Sequence, residues 1–161
     1  TKNKSFKFRV YDNTSGALIM TNDGELAYRL THPKHEVYKT YRARVAGILS
    51  NEKAARLRKG VDIGGFVTSP AKVNLINGVV IDGKRTGKCN VKVVEQTRDA
   101  VRLHITITEG RNRQVRKMFA AVGNPVQELE RIAIGEIRLG HLKPGHYRKL
   151  TREEIEYLKN C

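Results

Sequence analysis

The 161-residue chain contains no tryptophan, and aromatic residues make up only 6% of it. Single-stranded nucleic acids are held on rows of exposed aromatics that stack on successive bases, so this composition speaks against such a platform. Cysteine occurs twice, as Cys89 in a strand-like run and as Cys161 at the end, with no C-x-x-C spacing. Neither a disulfide framework nor a cysteine metal site is suggested, and a reducing cytoplasm is the expected setting. The five histidines form no ligand set. His32 and His35 flank Pro33 in a turn, a position that suits a phosphate contact or plain surface better than a metal. There is no long apolar run and no basic amphipathic helix with an aromatic face, so no membrane partner is expected. Repeats and low-complexity linkers are also lacking, and no signal peptide is expected at Thr1. The hydrophobic share, 39%, is enough for a real core in one domain.

Acidic residues are scarce relative to basic ones. Lys plus Arg is 31 against 16 Asp plus Glu, a formal net charge of +15. Such a field attracts a polyanion, and nucleic acid is the usual one, because each neutralised phosphate releases counterions. The plain alternative is solvated lysine serving solubility. The charge is also clustered. Arg29 to Arg44 holds five cations and one acid, while Glu52 to Lys59 and Glu109 to Lys117 each hold four cations and one acid.

Period-two alternation marks the strands. In VRLHITIT, Val101, Leu103, Ile105 and Ile107 point one way and Arg102, His104, Thr106 and Thr108 the other, which predicts a half-buried strand with one polar face. VNLI and VVID around Asn77-Gly78 read as a tight hairpin, and NVKVVEQ (Asn90 to Gln96) as a further strand. YKTYRARVAGI (Tyr38 to Ile48) and GALIM (Gly16 to Met20) read as strands too. Helices are expected over DGELAYRLTH, stopped by Pro33, over SNEKAARLRKG from a Ser50 cap to Gly60, and over TREEIEYLKN, where Thr151 and Glu154 have capping-box spacing. Strands interleaved with few helices predict an α+β fold: a mixed, mainly antiparallel sheet with flanking helices.

EGRNRQVRKMFAAVG, Glu109 to Gly123, joins a cluster of cations to an apolar stripe. With Asn112 as the cap, Val115, Met118, Phe119 and Val122 recur at helical spacing and predict a core-facing stripe. At about 100° per residue Arg116 falls on the edge of that stripe, and Arg113 and Lys117 on the far side. A half-buried guanidinium calls for an acid or an anion as partner. The plain reading is a helix-start arginine paired with a nearby glutamate.

EGRNRQVRKM, followed by GNPVQELERIAIGEIRLGHLKPGHYRKLTREEIEYL, closely resembles the bacterial ribosomal RNA pseudouridine synthases of the RsuA-like family. NTSGALIMTNDGELAYRLTHPKHEVYKTYRARV resembles them too, so that the likeness runs in the family's order from about Asp12 to Leu158. It implies a sheet with an active cleft along one face, no cofactor, no metal, a monomer, and isomerisation of uridine to pseudouridine in ribosomal RNA, with the large subunit favoured. It also implies that residues 1–161 form a single catalytic domain, without the S4-like RNA-binding domain common at the amino terminus of family members and without the first catalytic-domain strand.

The same resemblance implies the site. The family's catalytic aspartate lies in a motif like G-R-L-D-x-(D/N)-T-(S/T)-G. The corresponding FRVYDNTSG departs from it: an ungapped count puts Tyr11 at the catalytic place, and Asp12 follows one residue later. Asp12 is the expected catalytic acid, with residues absent between Tyr11 and Asp12. Arg116 matches the basic residue that pairs with that acid, and Tyr41, in Lys39-Thr40-Tyr41, the tyrosine that stacks on the target base. Without the resemblance Tyr41 reads as a strand aromatic in the core. Arg29, His32, Lys34, Lys39, Arg42, Arg111, Asn112, Arg113, Gln114 and Lys117 are the expected RNA contacts. The competing expectation is a non-catalytic RNA-binding or ribosome-assembly module that has lost its acid.

Overall fold

The structure, a computed structural model, describes residues 4–8, 14–75, 80–81, 84–85 and 99–161. Its elements in chain order are β1 (Lys4–Phe8), β2 (Thr14–Thr21), α1 (Gly24–Thr31), β3 (Lys39–Ala46), α2 (Asn51–Lys59), β4 (Lys72–Leu75), β5 (Val80–Ile81), β6 (Lys84–Arg85), β7 (Ala100–Ile107), α3 (Gln114–Ala121), β8 (Val126–Ile134), β9 (Ile137–Arg138), β10 (Tyr147–Lys149) and α4 (Arg152–Lys159). This is the expected α+β class. The chain divides into two compact units, one of Thr1–Tyr41, Thr108–Gly110 and Glu130–Cys161, the other of Arg42–Ile107 and Arg111–Leu129. The division falls inside β3 and inside β8.

In the first unit the strand order is β10-β1-β2-β8, with β9 paired to β8. β1 runs antiparallel to both β2 and β10. Gly16, at φ 123, lies against the Arg131 backbone of β8, where a Cβ has no room, so these two strands meet at a residue that only glycine fits. α1 starts at Asp23, whose carboxylate accepts the Leu26 N–H at 3.3 Å. It ends at His32, extended at ψ 131, as a residue before proline tends to be. Leu26 and Leu30, one turn apart, enter a core that also holds Ile134, Ile137, Leu150 and Leu158. Each such side chain contributes about 1.5–3 kcal/mol by leaving water.

In the second unit β7 lies between β3 and β4, with Val73 opposite Ile105 and Leu75 opposite Leu103 in the antiparallel β4–β7 pair. The alternation expected of β7 holds: Val101, Leu103, Ile105 and Ile107 are buried, while Arg102 is exposed and His104 and Thr106 half-buried. α2 is capped by Ser50, whose hydroxyl accepts the Lys53 N–H at 3.2 Å, and buries Ala54 and Leu57. It stops at Gly60, at φ 115, pressed against the Thr68 carbonyl. Asn124 is buried with its amide satisfied: Nδ2 donates to Ala46 O at 2.8 Å and Ile48 O at 3.1 Å, and Oδ1 accepts Lys53 Nζ at 3.0 Å.

The differences from expectation are local. Of VVID only Val80 and Ile81 lie within the described residues, as β5, and they pair with β6. The Asn77-Gly78 turn, Cys89 and NVKVVEQ lie outside the described residues. β1, β8, β9 and β10 were not foreseen.

Candidate active site and basic surface

The expected site residues are divided between the two units. Asp12 and Tyr11 lie outside the described residues. In the first unit, β3 begins with Lys39 and carries Tyr41 two residues on, so both project from the same face of the strand, and both are half-buried. Burial first, then the positive charge of Arg131, holds the Lys39 ammonium below its ordinary value of 10.5. Arg131 was not singled out by sequence. It is half-buried on β8, and its Nε donates to Ala17 O at 2.8 Å.

The other cations of this unit differ in how they are held. Arg29 is turned inward on its own fold: Nη2 donates to Glu25 Oε1 and Nη1 to the Lys159 carbonyl, each at 2.7 Å. Each terminal nitrogen keeps a second N–H donor, and the side chain remains a third exposed. His32 is exposed and stacks on Tyr28 with ring centroids 4.6 Å apart, and its Nδ1 accepts the Lys34 N–H. His35 meets the same Tyr28 edge-on at 5.8 Å. Lys34 is exposed. Among the described residues no group of acids, histidines and cysteines could hold a metal ion.

In the second unit α3 carries the cations the sequence placed on it. Val115, Met118, Phe119 and Val122 are all buried. Arg116 is half-buried beside them, and Arg113 and Lys117 are exposed, as the periodicity requires. The start of the helix differs from expectation. Arg113, not Asn112, is the capping residue, in left-handed backbone at φ 53 with no side-chain cap bond. Asn112 is left outside the helix and exposed.

Gln114 is turned into the fold. It was expected on RNA, yet it is 3% exposed. Its Oε1 accepts the Arg111 N–H at 3.1 Å, and its Nε2 lies 3.7 Å from Met118 Sδ. A buried amide needs such partners, so Gln114 braces the turn into α3 from inside. Arg111 is exposed, but its guanidinium lies 3.3 Å over the Phe66 ring. Phe66 sits in a loop tightened by Asp62, whose Oδ1 accepts the Gly64 and Gly65 N–H groups at 2.9 and 2.8 Å. Arg42 is exposed at the head of this unit's part of β3, and burial followed by the Arg42 charge lowers the His104 pKa.

By fold the protein is of the pseudouridylate synthase type. A solved structure described as a crystal structure of pseudouridylate synthase superposes with a TM-score of 0.79 at 26% identity, covering 98% of this chain and 74% of that one. The sequence profile of the RNA pseudouridylate synthase family matches residues 9–121, and the chain belongs to that family. The resemblance to RsuA-like enzymes read from the sequence is thereby borne out. The chain is 40% identical over 149 residues to ribosomal large subunit pseudouridine synthase B of Bacillus subtilis, across 92% of this chain and 54% of the relative. It is 36% identical over 154 residues to ribosomal small subunit pseudouridine synthase A of Vibrio vulnificus, across 94% of this chain and 58% of the relative. It thus spans little more than half the length of these relatives. No helix among the described residues is long and apolar enough to cross a membrane.

Proposed function

We propose that the protein isomerises uridine to pseudouridine at a specific site of ribosomal RNA, with a large-subunit stem-loop as the substrate, and that the chain is the catalytic domain of a monomeric cytoplasmic enzyme that uses no cofactor. The observation that carries this reading is Arg116: half-buried on the edge of the α3 core stripe in a chain of this family, with exposed Arg113 and Lys117 beside it. An arginine so placed suits a carboxylate partner, while its neighbours suit phosphates.

The reaction breaks the N1–C1′ bond, rotates the base, forms C5–C1′, and moves the C5 proton off while N1 gains one. Nothing is added or lost overall. In this reading Asp12 is the carboxylate that acts at the sugar, by attack on C1′ or by assisting loss of the 2′ proton. Arg116 keeps it ionised and oriented, since an opposite charge nearby favours the charged form. Tyr41 stacks on the target base, which must leave its helix to be reached. His32, Lys34, Lys39, Arg42, Arg113 and Lys117 hold phosphates, as do Asn112 and Arg111, the latter presented on the Phe66 ring. Structured RNA is read by shape and backbone in just this way.

The second reading, a non-catalytic RNA-binding or ribosome-assembly module, draws on Tyr11 at the ungapped position of the catalytic acid. One assay separates the two. The chain is incubated with ribosomal RNA and pseudouridine is mapped, with Asp12→Asn alongside. The expected result is one modified uridine with the native chain and none with Asp12→Asn, at unchanged RNA affinity. RNA binding without any modification by the native chain overturns the enzyme and leaves the binding module.

A further inference from the structure

Within the first unit, β2, α1, the start of β3 and β8 enclose a cleft of about 240 Å³. Its composition is uneven. Leu18, Leu30 and Ile134 make an apolar wall, and two cations, Lys39 and Arg131, line the same space. Two like charges in a half-buried cleft oppose each other; burial, and after it the charge of Arg131, lowers the Lys39 pKa. Among the described residues no acid pairs with either. Arg131 is aimed rather than loose, because its Nε is tied to Ala17 O at 2.8 Å and its remaining N–H donors are held in a fixed plane.

The two hydroxyls in the cleft are also differentiated. Thr31 Oγ1 donates its proton to Ala27 O at 2.8 Å, which leaves it lone pairs only. Thr21 Oγ1 accepts the Asp23 N–H at 3.0 Å and keeps its own proton to donate. The cleft therefore offers an ammonium, a guanidinium and a hydroxyl donor beside an apolar wall. An anion with a compact, partly apolar body matches that set. At 240 Å³ the space is below the roughly 300–1,000 Å³ of sites for drug-sized ligands, so it suits a single nucleotide unit and not a length of strand.

We propose that this cleft is a nucleotide subsite in which Lys39 and Arg131 together hold one phosphate of the bound RNA, with its ribose against Leu30 and Ile134. The inference rests on the reading of the protein as an RNA-modifying enzyme for the source of the phosphate, but not for the chemistry of the cleft. It assigns Arg131 a binding role and gives Lys39 a particular partner in place of general attraction to RNA.

The test uses the full chain and three probes: uridine 5′-monophosphate, uridine and inorganic phosphate, titrated by NMR with the methyl signals of Leu30, Thr31 and Ile134 as reporters. Uridine 5′-monophosphate should bind at least about tenfold more tightly than uridine and shift those methyls. Lys39→Gln should weaken it about tenfold, Arg131→Gln at least as much, and Lys39→Arg should restore most of the affinity. Arg131→Gln also removes the bond to Ala17, so Lys39→Gln, in which only a half-exposed side chain changes, keeps the test independent of folding. Equal affinity for uridine and its monophosphate, or no loss in Lys39→Gln, overturns the subsite. Displacement of the monophosphate by a ribosomal RNA stem-loop is the expected result for an RNA phosphate; simultaneous binding of both overturns that source and assigns the cleft to a free nucleotide. Monophosphate binding here without pseudouridine formation would sink the enzyme reading and leave the subsite standing.

Discussion

Two helix starts, one in each unit, obey opposite rules. α4 opens on Thr151, whose hydroxyl accepts the Glu154 N–H at 3.2 Å while the Glu154 carboxylate accepts the Thr151 N–H at 2.8 Å. Arg148 closes the arrangement with two bonds of 2.7 Å to Glu154. Acids thus lie at the positive end of the helix dipole, where they stabilise it. α3 opens on Arg113 in left-handed backbone, with no side-chain cap bond and no acid in its first turn. Arg113, Arg116 and Lys117 set positive charge against the same end of the dipole, each at an expected cost of about 0.3–1 kcal/mol where exposed. A start that costs stability sits where the chain gathers cations, and the one that gains it sits at the chain's end. Local rules are most often broken where a site has its own demands. That contrast supports placing function on α3 and structure on α4.

The sharpest way to break the contrast is Arg116→Ala. If Arg116 serves the Asp12 carboxylate, its loss leaves an acid without its counter-charge, and single-turnover rates at saturating RNA should fall by about a hundredfold to a thousandfold with affinity little changed. Rates unchanged at saturation, with a reduced dependence of binding on salt, would make Arg116 another phosphate contact and remove the functional side of the comparison.

The two starts also differ in how well sequence described them. Thr151 and Glu154 form their box through side chains three residues apart, so spacing alone announced it. Ser50 announced α2 as a capping residue by type. On α3 the apolar stripe and the half-burial of Arg116 followed from the helical period, but the cap did not. Asn112 is the better capping residue by type, yet the left-handed turn falls on Arg113, and backbone conformation of that kind leaves no residue-type signal at an arginine. Gln114 looked like a polar member of a basic motif because periodicity cannot tell a satisfied buried amide from an exposed one. β1 and β8 escaped for different reasons. KSFKF alternates over only five residues, and VQELERIAI mixes charges through both faces, with Glu130 and Arg131 each half-buried. Arg131 was therefore invisible as a cleft residue, since what brings it to Lys39 is strand packing and not spacing.

On α4 the comparison can be sharpened by pH. Hydrogen bonding from Arg148 is the largest influence on Glu154 and holds its carboxyl below the ordinary 4.5, with burial acting the other way. A group whose pKa is lowered by folding stabilises the fold above its unfolded value and loses that contribution as pH falls through the folded one. Glu154→Gln should therefore cost about 1 kcal/mol near neutral pH, a figure discounted for solvent screening because Arg148 is a third exposed. In denaturant titrations the difference from the native chain should hold steady above pH 4.5 and shrink below it. A cost that stays constant into acid would mean that the pair contributes by packing alone.

The smallest expected effect returns to α3. At φ 53 Arg113 occupies a backbone region that glycine enters without the steric penalty of a side chain, a penalty of about 1–2 kcal/mol. Part of that gain is offset by the extra freedom glycine brings to the unfolded chain. Arg113→Gly should therefore stabilise the fold by up to about 1 kcal/mol while removing one cation from the helix start, so that the salt dependence of RNA binding falls by about one unit. Both readouts are needed. Arg113→Ala removes the same charge but keeps a Cβ in left-handed backbone, so it should lose the same salt dependence without the gain in stability. If glycine and alanine change stability equally, the left-handed start carries no strain. If neither changes the salt dependence, Arg113 meets no phosphate, and the two helix starts differ in form without differing in purpose.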